Sequence, residues 1–260
     1  GSSLIINGGT HSIVQAVLAF VRTYLPESSD TSVNAQIDGV RNTVSTENKN
    51  LPSESSLDGK NLVALCDQKN AMVVVVDLDA PDPTAASAVV WKWSPSTSLG
   101  FLSTSGYANS VDEAILRYSE VLDSYVVCVT SSAGFMGVAK YPSGECVWSG
   151  VASGLGPHSI EYLPNGNVAV VCSGNSNTEN GCIRIYAASQ SKTTNRYISD
   201  SLVSAHGVIW DDENELLWAL GASELRAYRI GGTDADPELI LVSGMGGKTI
   251  VSGGHNLSVN

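Results

Sequence analysis

The sequence predicts an all-β fold, a β-propeller of four-stranded antiparallel blades, and two observations carry that prediction. The first is a repeat. His158, His206 and His255 follow one another at intervals of 48 and 49 residues, each opening a similar stretch. A fixed period of this length with strand-turn-strand content is the mark of propeller blades. The second is the rhythm of β-branched runs of five to seven residues bounded by Gly, Asn, Asp or Pro, the pattern of strands joined by tight turns.

Residues 4 to 56 stand outside the blade pattern. Ser12 to Arg22 has apolar residues at 13, 14, 17, 18, 20 and 21, the spacing of an amphipathic helix, with Thr10 or Ser12 to cap it and Pro26 to end it. His11 opens an echo of the His158 stretch and offers a degenerate strand instead, but the continuous apolar residues after it favour the helix. Glu27 to Ser56 is rich in Ser, Asn, Thr and Asp and reads as a polar excursion. Two regions result: residues 1–56, helical or irregular, and residues 57–260, the blades.

The first blade holds Asn61 to Cys66, a turn at Asp67 to Asn70, Ala71 to Leu78, and an outer strand from Ala88 to Trp93. The second holds Ala114 to Tyr118, Tyr125 to Val129, Gly137 to Tyr141 and Cys146 to Trp148. The third starts at His158, with Asn165-Gly166 as its hairpin signal, and the fourth at His206. A fifth begins at His255 and is cut short, which reads as truncation or cleavage of a longer chain.

Composition narrows the function classes. The chain has 260 residues, 43% of them hydrophobic, and 25 glycines, in keeping with a large core and many turns. A net charge of −12 and a pI near 4.6 offer no basic footprint for nucleic acid. Only 15% of residues are charged, a composition that points to a secreted protein. The longest apolar runs fall far short of a membrane span. Gly1-Ser2-Ser3 reads as a cloning remnant, so a missing signal peptide carries no information.

Five cysteines leave at least one outside any intramolecular pairing. Cys172 and Cys182 flank a polar hairpin loop and face each other either as a disulfide or as two small buried residues. Cys66 aligns with Cys172 at a core position. No CxxC pair is present, which argues against a zinc-thiolate centre.

The candidate site is the mouth of the channel that the blades surround. Alternate side chains of an innermost strand share a face, which pairs His158 with Ile160, His206 with Val208, His255 with Leu257, and Ile115 with Arg117. Three imidazoles on consecutive blades would meet there, beside Arg117. Imidazole serves as general acid or base. Three of them can hold a divalent metal, and Arg117 can receive a carboxylate or sulfate. Against this stands a structural role, each histidine bonding a neighbouring blade. Glu161, Asp211, Asp212 and Glu213 read as solvated turn residues. Trp91, Trp93 and Trp148 fall on outer strands that seal one blade against the next, and Trp210 is the better platform for a sugar. Asn256-Leu257-Ser258 is a glycosylation sequon placed in an inner strand, which argues against its use.

The stretch Pro157-His158-Ser159-Ile160-Glu161-Tyr162-Leu163-Pro164-Asn165-Gly166-Asn167 resembles a phrase of secreted microbial propellers of the quinoprotein- and WD-like superfamily. These include polysaccharide lyases, glycosidases and arylsulfotransferases. The resemblance implies a propeller over residues 57 to 260 and, in the enzymes among them, catalysis by channel histidines; only His158, and by internal repeat His206 and His255, carry over. It implies a secreted, carbohydrate-active protein, a lyase or glycosidase, with His158 or His206 moving the proton and Arg117 neutralising a uronate. The alternatives are a non-catalytic propeller that binds protein or glycan, and a sulfuryl transferase, which needs a second cation at the mouth.

Overall fold

A computed structural model describes residues 61–107, 110–175, 180–244 and 252–258. The helix expected over Ser12–Arg22, the excursion over 27–56 and the boundary at 56 lie outside the described residues. Among the described residues there are fifteen strands, and the only helical elements are three single 3-10 turns. The all-β expectation holds. The strands form four antiparallel sheets, each in plain chain order.

The chain divides into two compact units between Trp93 and Ser94. The first contains a three-stranded sheet, β1 (Leu62–Asp67), β2 (Met72–Asp77) and β3 (Val89–Trp93). Val74, Val76, Leu65 and Ala88 form its own small core. Trp91 and Trp93 stack on β3 with ring centroids 6.3 Å apart.

The second unit contains three four-stranded sheets. The first is β4 (Val111–Ser119), β5 (Ser124–Ser131), β6 (Phe135–Lys140) and β7 (Cys146–Val151). The next is β8 (Pro157–Tyr162), β9 (Val168–Cys172), β10 (Cys182–Tyr186) and β11 (Tyr197–Ser201). The last is β12 (Gly207–Asp211), β13 (Leu216–Leu220), β14 (Leu225–Thr233) and β15 (Asp236–Leu241). First strands adjoin: β8 touches β4 on one side and β12 on the other, while the last strands β11 and β15 also meet.

The middle sheet is buried on both faces, and the sequence shows why. On β9, Val168, Val170 and Cys172 join a core with Val126, Met136 and Trp148 of the preceding sheet. Ala169 and Val171, on the opposite face, join Val208, Leu217, Ala219 and Tyr228 of the following one. A strand with two dry faces reads as an unbroken apolar run, as Val168–Cys172 does. Each fully buried Val or Ile here contributes about 1.5–3 kcal/mol. Trp148 seals the first of these cores as expected: it is fully buried, lies 5.0 Å from the Tyr186 ring and donates its indole N–H to the Thr194 carbonyl at 3.2 Å.

Asn165-Gly166 makes the expected hairpin between β8 and β9, with Gly166 at φ +83°, where a side chain is strained. Cys172 and Cys182 stand directly opposite across β9 and β10, fully buried and as thiols. The segment 252–258 runs beside the start of β12. A Cβ on Gly207 would lie 2.8 Å from the Leu257 backbone nitrogen, so glycine is required for this approach. Gly254 N–H donates to the Ala222 carbonyl at 2.9 Å. The sequon residue Asn256, expected in an inner strand, is exposed and outside any strand.

Candidate functional site

Two β-bulges begin the site. On β4, Val111 pairs with Ser131 and Glu113 with Thr130, which leaves Asp112 as the extra residue. On β8, Pro157 pairs with Cys172 and Ser159 with Val171, which leaves His158 as the extra residue. An extra residue re-aims its side chain and breaks strict alternation. His158 is therefore half-buried, while Ile160, expected on its face, is fully buried in the core. Ahead of β12, His206 extends the ladder by one bond, its N–H reaching the Leu220 carbonyl at 2.9 Å.

The three expected histidines come together. Ring centroids are 4.4 Å apart for His158 and His206, 4.7 Å for His206 and His255, and 6.4 Å for His158 and His255. Asp112 completes the group, its Oδ1 3.7 Å from His158 Nδ1. It stands 46 residues before His158, one repeat earlier.

Protonation follows from the surroundings. Burial, then the neighbouring His206 and His255, pull His158 down to about 4. It is neutral near pH 7, and at 3.7 Å its contact with Asp112 is beyond hydrogen-bond length. Burial raises Asp112 above the usual carboxylate range, opposed by the Ser132 N–H that it accepts and by His255. His206 Nδ1 lies 2.8 Å from the Ser204 carbonyl. A carbonyl only accepts, so Nδ1 carries the proton and Nε2 of the neutral ring is left as an acceptor. A metal reading gains nothing: among the described residues no set of three or more His, Cys, Asp and Glu is placed to hold an ion.

Deeper along the same strands lies a second polar group. Arg117, expected to receive a substrate carboxylate, grips Glu161 instead, Nε to Oε1 at 2.6 Å and Nη2 to Oε2 at 2.9 Å. Glu161, expected as a solvated turn residue, is 1% exposed. It also accepts the backbone N–H of Trp210 on β12 at 3.3 Å and that of Tyr162 at 3.1 Å. The expectation for Glu161 fails because the carboxylate is compensated by the guanidinium inside the fold. Ser159 accepts the Val208 N–H at 3.1 Å and Glu113 accepts the Ile160 N–H at 2.7 Å. Burial pushes Glu113 up to about 7, with Glu161 adding to the rise and Arg117 and the Ile160 N–H opposing it.

Asp211 ends β12, and Asp212 opens the turn to β13. Asp211 is held below its usual range by hydrogen bonds from Asn214. Asp212 accepts the Trp210 indole N–H at 2.6 Å. Asp112 and Glu113 escaped the sequence reading. The repeat interval gave a signal for Asp112, masked because its residue type differs from the histidines in register with it.

No protein-family model and no curated protein matches the sequence. Among solved structures, it is similar to the crystal structure of the Chaetomium thermophilum polycomb repressive complex 2, at 12% identity and a TM-score of 0.46. That match covers 71% of this chain and 37% of the other. An autoinhibited apo form of such a complex matches at 10% identity and 0.46, covering 71% and 38%. An active polycomb repressive complex 2 in its basal state matches at 11% and 0.48, covering 71% and 37%. The chain therefore spans less than two-fifths of the length of these structures' matched chains. No helix among the described residues is long and apolar enough to cross a membrane.

Proposed function

We propose that the chain is a β-propeller, of the secreted quinoprotein- and WD-like kind, whose Asp112–His158–His206–His255 end binds a carbohydrate and acts on it by proton transfer, as a lyase or glycosidase. The single observation that carries this reading is the meeting of three imidazoles and one carboxylate from four successive repeats. Consecutive sheets with adjoining first strands support the propeller.

His206 is the base, because its Nδ1 is committed to Ser204 and its Nε2 accepts. His158, neutral and half-buried, accepts a hydrogen bond from the bound ligand. Asp112, 3.7 Å from His158, brings a carboxylate to the cluster. The role of neutralising a uronate is not assigned to Arg117 in this reading, because Glu161 already holds its guanidinium.

The test is incubation with a panel of neutral and uronate oligosaccharides, following new reducing ends and the ultraviolet absorbance of unsaturated products. The reading expects turnover of at least one, abolished in His206→Ala with the fold intact. A second reading, a non-catalytic glycan-binding propeller, is favoured by the ties of His206 to Ser204 and Asp112 to Ser132, which build these side chains into the fold. Saturable binding with no turnover by the wild-type protein would decide for it.

A further inference from the structure

Charge balance at the histidine end goes further than proton transfer. The permanent cation on the neighbouring strand, Arg117, is bound by a buried carboxylate at both Nε and Nη2. Positive charge at the cluster must then come from imidazole protonation. Three imidazoles face one carboxylate. The first proton is offset by Asp112. A second would place two imidazolium rings within 4.4–6.4 Å of each other, with nothing left among these four residues to balance the excess. Such a site takes the second proton only together with an anion.

We propose that the end formed by Asp112, His158, His206 and His255 binds an oxyanion, sulfate or carboxylate, together with a proton, so that its affinity rises as pH falls. The inference rests on the reading of this cluster as a ligand site and names the chemical class of its ligand. β4 presents Asp112, β8 presents His158, the approach to β12 presents His206 with the uncharged Ser204, and segment 252–258 presents His255. From β5, Thr130 donates to the His158 carbonyl at 3.1 Å and brings no charge. Next inward, Arg117 and Glu161 are bonded to each other, and Glu113, which accepts the Ile160 N–H, itself ionises at about 7. Burial and the two other rings already hold His158 neutral.

Calorimetric titration of the whole protein with sodium sulfate, sodium glucuronate and neutral glucose tests this. It is run at about pH 8 and about pH 5.5, in two buffers of different ionisation heat, to bracket ordinary imidazole titration. Sulfate and glucuronate keep their charge over this range, so any pH dependence belongs to the protein. The expected result is anion binding at the lower pH, accompanied by proton uptake. Affinity rises by up to about tenfold per pH unit for each proton taken up. Glucose shows no such uptake. Whether sulfate or glucuronate binds more tightly separates a sulfated from a uronate ligand. His206→Gln and, independently, the exposed His255→Gln should each reduce the uptake while retaining a cooperative melt. Affinity independent of pH, or proton uptake unchanged in both variants, overturns the inference, even if neutral oligosaccharides are turned over. Anion binding with proton uptake upholds it even if nothing is turned over, and then the catalytic reading alone falls.

Discussion

His158 and Glu161 lie three residues apart on one strand and lead opposite lives. Glu161 is 1% exposed and fully engaged, holding Arg117 of β4 and the Trp210 N–H of β12 in a single carboxylate. His158 projects from a bulge, is 21% exposed, and faces two other imidazoles. The inner polar group joins the sheets because every charge in it has a partner. The outer group brings like-natured side chains together without such compensation, and that is where a ligand has something to add. Burial alone does not mark function on these strands; the difference lies in whether the fold has already used the polar groups.

Breaking the inner group should have the largest effect. Glu161→Ala leaves Arg117 and the Trp210 N–H without their acceptor and should cost about 3–5 kcal/mol, read as a lowered denaturation midpoint. A cost under about 1 kcal/mol would place the pair at the weak level of surface ion pairs and dissolve the contrast.

Glu113 comes next and sharpens the contrast through pH. Its carboxyl ionises at about 7 in the fold against 4.5 ordinarily, so the folded state binds the extra proton between those values. Stability from this group is present below pH 4.5 and is lost as pH rises through about 7. The loss is up to about 3 kcal/mol, less where water reaches the half-buried carboxyl. Glu113→Gln should flatten that part of a stability–pH curve. His158 works in the other direction: lowered from 6.5 to about 4, it contributes stability above 6.5 that is lost as pH falls through 4. His158→Gln should remove that acid-side slope and leave the other intact.

Gly207→Ala reaches the outer group by packing alone. Its Cβ would meet the Leu257 nitrogen at 2.8 Å, so segment 252–258 must move and take His255 with it. A cost of about 1–3 kcal/mol is expected, with faster hydrogen exchange at Gly254, whose N–H bonds Ala222. The smallest change in stability belongs to His206→Ala, which loses one bond to Ser204, about 0.5–1.5 kcal/mol. Turnover, if the catalytic reading holds, is lost altogether.

Much of the fold was legible because strands buried on one or two faces write their burial into the sequence. The apolar run Val168–Cys172 and the turn at Asn165-Gly166 fall where periodicity and turn chemistry place them. The histidine register was legible because the repeat retains residue type. Asp112 was not, since a carboxylate stands where later repeats carry imidazole, and a bulge hides it from period-two alternation. Glu161 was misread because an acidic residue near turns is ordinarily solvated. Its mid-strand position between Ile160 and Tyr162 was the available clue. The partner that makes its burial tolerable, Arg117, lies 44 residues away, and no local pattern links the two.

The most direct test of the histidine cluster is a pH titration of the imidazole C–H resonances by NMR, in the wild-type protein and in His206→Gln. Burial, together with the neighbouring rings, predicts that His158 stays neutral until about pH 4, and proximity predicts that removing His206 moves its midpoint upward, toward ordinary imidazole. A His158 midpoint near 6.5 that does not respond to the substitution would mean that these rings do not share a site.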